Sequence, residues 1–102
     1  MSVRPPSLFS SRQEQSLNVL DYELLAEKAA ALGRAGERVG EALARLDAHS
    51  GDAESRRGLV KAAADAVYGY FVQRELCGYR RHDDAIRHYG IPREVLARLG
   101  AA

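Results

Sequence analysis

Asp84 and His88 stand four residues apart in the densest polar stretch of the chain, Arg74 to Tyr89. On one helix face that spacing lets a carboxylate and an imidazole reach one metal ion, and His82 adds a further nitrogen or a helix cap. Such a set arises readily on a polar surface and lacks a second ligand pair, so no metal and no cofactor is expected. Asp83 and Asp84 have a simpler use, facing the positive end of a short helix dipole. Cys77 is the one cysteine, which leaves no intrachain disulfide and no Cys-only metal site. Arginines near it in sequence favour a thiolate, but no histidine is placed as a base, and an inert, half-buried thiol is the expectation. With no catalytic signature and no ligand-binding loop, the chain does not read as an enzyme.

A second group of polar residues falls inside an apolar stripe. At 100° per residue, Asp21 and Lys28 lie beside Leu25 and Leu32, and Arg74 lies near the middle of the sector formed by Leu59, Val60, Ala63, Val67, Tyr70, Phe71 and Cys77. If two helices turn back on each other near residue 50, Arg74 comes level with Ala26. A bridge from Arg74 to Asp21 or Glu27, with Glu23 also within about a turn, then neutralises the guanidinium. This Asp21, Lys28 and Arg74 layer has two uses: setting helix register, or binding a small anion between Tyr22 and Tyr70. The first is favoured, because charged residues are seldom buried without partners.

The third pattern runs over residues 83–99. Ala85, Tyr89-Gly90-Ile91, Leu96 and Leu99 match the anchors of a helix-turn-helix, with Arg80, Arg81, Arg87, Arg93 and Arg98 available to phosphates or base edges. A DNA-binding regulator is therefore an alternative. Against it, the segment from 74 carries six arginines against four acids, and a tight helix corner explains the same anchors.

All three patterns depend on helices. Tyr22, Leu25, Ala29, Leu32, Gly36, Val39, Leu43 and Leu46 alternate steps of three and four, the seam of one long helix. Ser11 with Glu14, or Ser10 with Gln13, forms a capping box, so this helix is expected from about 12 to about 48. Asp52 caps a second helix over 53–77 that ends at Gly78. A third enters at His82 or Asp83 and ends at Gly90, and Ile91-Pro92 opens a fourth that ends before Gly100. Residues 1–10, with Pro5-Pro6, read as an extended arm, and 11–102 as a single helical domain.

The lengths do not match. A second helix of about 37 Å leaves about 15 Å of the first without a partner, carrying Leu17, Leu20 and Leu24. The C-terminal pair is expected to cover that overhang, or a second copy is. A column of small residues, Ala26, Ala30, Gly33, Gly40 and Ala44 with Gly36 beside it, points to close approach of another backbone, since a helical glycine costs about 1 kcal/mol relative to alanine. The expected fold is all-α: a long antiparallel hairpin with two short C-terminal helices, pairing as a homodimer around a four-helix core.

Composition fits a folded protein, with 46% apolar and 28% charged residues and a net charge of +1, which gives no global pull toward nucleic acid or membrane. The first twenty residues hold no signal core and no segment spans a bilayer, so a cytoplasmic location is expected. The segments Ser11-Arg12-Gln13-Glu14, Asn18-Val19-Leu20-Asp21-Tyr22-Glu23, Gln73-Arg74-Glu75-Leu76-Cys77-Gly78 and Tyr89-Gly90-Ile91-Pro92-Arg93-Glu94-Val95-Leu96 resemble a group of short uncharacterised bacterial proteins grouped as a domain of unknown function. The resemblance covers almost the whole chain and implies a small helical protein, with no activity, ligand or catalytic residue. The favoured function is a self-associating interaction or scaffold module.

Overall fold

The computed structural model describes residues 8–101, with side chains from Gln13 onward. Four helices follow in order: α1 Leu8–Asp47, α2 Ala53–Leu76, α3 Asp83–Tyr89 and α4 Arg93–Leu96, with no strand among the described residues. The chain is all-α, one long helix with shorter ones. Most of the extended arm expected over 1–10 lies outside the described residues. Residues 8–10 are already helical, so Ser10 and Ser11 sit inside α1 rather than capping it.

Asp52 caps α2 as its position predicts, its carboxylate accepting the Ser55 amide at 2.8 Å. The Ser55 hydroxyl on the same carboxylate, and after it that amide bond, hold the Asp52 carboxyl below the usual carboxylate range. Past Cys77 the chain reverses at Gly78, whose φ of 97° only glycine adopts cheaply. At the end of α3, Gly90 has φ 63° and the Ile91 amide donates to the Ile86 carbonyl at 3.1 Å, closing a Schellman turn.

The hairpin register differs from a symmetric turn at residue 50. The Cys77 thiol lies against the Lys28 carbonyl at 3.9 Å, five residues further along α1 than such a turn sets. Ala48–Asp52 climbs past the end of α1 before α2 begins, and the shift lengthens the unpaired part of α1. Its first 21 residues, about 32 Å of helix, extend beyond the end of α2.

The core lies in the other half. Ala35, Val39, Ala42 and Leu46 of α1 meet Val60, Ala63, Ala64, Val67 and Tyr70 of α2, closed by Ala85, Ile91 and Val95. The C-terminal helices therefore cover the hairpin groove, not the overhang, which corrects the expectation from helix lengths. Gly78 turns the chain back at the tip of α2. Small residues on α1 then make room for Tyr89, whose hydroxyl sits where a Gly36 Cβ would come within 2.5 Å. The glycine column thus admits an aromatic side chain at Gly36 and Gly40, not a second backbone, and Gly33 meets nothing within 4 Å.

Candidate functional site

Arg74 is the one buried charged residue among those described, 6% exposed. One terminal nitrogen donates to the Asp84 carboxylate at 2.8 Å and to the Arg81 carbonyl at 3.0 Å, and Nε donates to His82 Nδ1 at 3.1 Å. The guanidinium also lies over the Tyr79 ring, 4.4 Å from its centroid. Since His82 Nδ1 accepts, Nε2 carries the proton and faces Glu75 at 3.5 Å, while the imidazole stacks flat on Phe71 with centroids 4.2 Å apart. Every group the Arg74 guanidinium donates to lies on residues 81–84, the stretch that enters α3. The cluster is a latch that fixes the C-terminal segment to α2.

This corrects the layer expected from the sequence. Arg74 stands level with about residue 31 of α1, which puts Asp21 about 15 Å away along the helix. Its partner is Asp84, not Asp21 or Glu27. Glu27 pairs instead with Arg34 at 3.4 Å, and Asp21, Glu23, Glu27 and Lys28 are all exposed on the overhang. Asp21 and Lys28 do share the stripe that faces α2 lower down, as their spacing requires, but α2 ends level with Lys28 and no helix among the described residues lies opposite Asp21. The pocket between Tyr22 and Tyr70 is not formed: Tyr22 is 75% exposed, while Tyr70 packs in the core, edge-on to Tyr89.

The metal reading loses its residues in the same way. Asp84 is taken by Arg74 and His82 by Phe71 and Arg74, and the His88 ring lies edge-on to Tyr89. No group of three or more His, Cys, Asp or Glu among the described residues is arranged to hold a metal ion. The helix-turn-helix elements exist as α3 and α4, but α4 is a single turn, and it presents Val95 to the core. Arg80, Arg81, Arg87 and Arg93 are exposed and Arg98 is half-buried. Glu94, on the outer side of α4, pairs with Arg56 at the start of α2.

Two features escape the sequence patterns. Tyr89 is raised above the usual tyrosine value, first by burial and then by its neighbour Tyr70, and it is the side chain that gives Gly36 a purpose. Asp84 as the partner of Arg74 was within reach of the sequence: a residue ten positions on, just past a glycine turn, is closer than one on a helix whose register is unknown.

The remaining candidate is the exposed face of α1. Leu17, Leu20, Leu24 and Leu25 are 57–64% exposed and form one stripe. It is in line with Ala35, Val39, Ala42 and Leu46, the residues that α2 covers. The accessible surface of the whole chain is 7827 Å². A compact monomer of its 11.2 kDa presents about 5,700 Å² by the usual size scaling, so about 2,100 Å² is in excess.

Fold and surface together define an all-α hairpin protein with a latched C-terminal segment and an uncovered helical extension. The chain belongs to a family of unknown function, DUF6665, whose model matches residues 7–102. No curated protein and no solved structure gives a significant match. No helix among the described residues is long and apolar enough to cross a membrane.

Proposed function

We propose that this protein is a self-associating helical interaction module of the cytoplasm, whose overhang on α1 pairs with a second copy, and that its role is assembly rather than catalysis. The observation that carries this reading is the leucine stripe of the overhang, which continues the α2-facing stripe and is covered by none of the described residues. Covering the exposed part of each leucine is worth about 1 kcal/mol, and two copies contribute eight of them. That total is of the same order as the cost of bringing two molecules together, so the pairing is reversible rather than obligate.

A four-helix core with the hairpins side by side is not the favoured form. The groove between α1 and α2 that such a core needs is filled by α3 and α4, which moves the seam to the overhang. Sedimentation velocity across a micromolar concentration series tests the reading. The wild-type chain is expected to shift from monomer to dimer, and Leu20→Asp, at an exposed position outside the core, to stay monomeric. A wild-type chain that remains monomeric throughout overturns it.

A further inference from the structure

We draw no further inference here: the strongest candidate, the side-chain cluster of Arg74, His82 and Asp84 where α2 meets the start of α3, belongs to the latch already described, and no buried side-chain nitrogen or oxygen among the described residues is left without a partner to receive a ligand.

Discussion

Gly36 and Tyr89 decide how closely the C-terminal segment can lie on the hairpin. A methyl group at Gly36 meets the Tyr89 hydroxyl at 2.5 Å and the Tyr70 ring at 3.4 Å, and the Tyr89 ring is held by its edge-on contacts with Tyr70 and His88. Overpacking of this kind costs about 1–3 kcal/mol, more than the roughly 1 kcal/mol a helix gains when glycine becomes alanine. Gly36→Ala is therefore expected to destabilise the protein in urea unfolding, and Tyr89→Phe added to it to recover part of the loss. Gly33→Ala is the control. With nothing within 4 Å of its new methyl, it should stabilise the protein by up to about 1 kcal/mol. Tyr89 also sets an alkaline limit. Its ionisation lies above the ordinary 10.0 in the folded state because burial and Tyr70 disfavour the phenolate. The unfolded chain then loses its proton first, so the stability Tyr89 contributes is complete below pH 10.0 and declines as pH rises past it. A Tyr89→Phe chain should show a shallower loss of thermal midpoint above that pH.

The helices differ in what holds them, and that difference separates what the sequence disclosed from what it did not. Caps are local: Asp52, Gly78 and Gly90 marked the ends of α2 and α3 within a residue, because each acts on backbone groups three or four positions away. The hairpin register was not local. A five-residue shift between α1 and α2 comes from the path of the connecting loop, and it changed the partner of Arg74 and the length of the overhang together. The apolar seam was legible, but only its part from Leu32 onward is covered, while Tyr22, Leu25 and Ala29 face outward. Nothing in a periodic pattern says whether its partner belongs to the same molecule. The first 21 residues of α1 are accordingly a nearly isolated helix, and a single helix of that length is marginal in water. Amide hydrogen exchange should divide α1 at about residue 29. Protection from Leu32 to Leu46 is expected to be independent of protein concentration. Protection from Gln13 to Lys28 should be slight in dilute solution and rise as the chain is concentrated, because only pairing shields those amides.

At the scale of the whole molecule the chain is far from round. Its radius of gyration is 21.0 Å and its longest extent 76 Å, where a compact domain of this length has a radius of about 13 Å. The core that must hold this shape is small, with Val39, Val67 and Val95 the largest side chains fully enclosed, so association has a large lever on overall stability. If folded chains pair and unfolded chains do not, each increase in concentration favours the folded form by mass action. Per chain, a hundredfold increase above the dissociation constant adds about 1.4 kcal/mol, half the change for the dimer. For about 100 residues that corresponds to a rise in thermal midpoint of roughly 5–10 °C. Calorimetry on the wild-type chain at two such concentrations should show that rise. Leu20→Asp should show one midpoint at both, close to the wild-type value at the lower concentration, because its core from Leu32 onward is untouched. A midpoint that moves equally in both chains would place the association elsewhere on the surface, and one that moves in neither would mean that the overhang adds nothing to the stability of the fold.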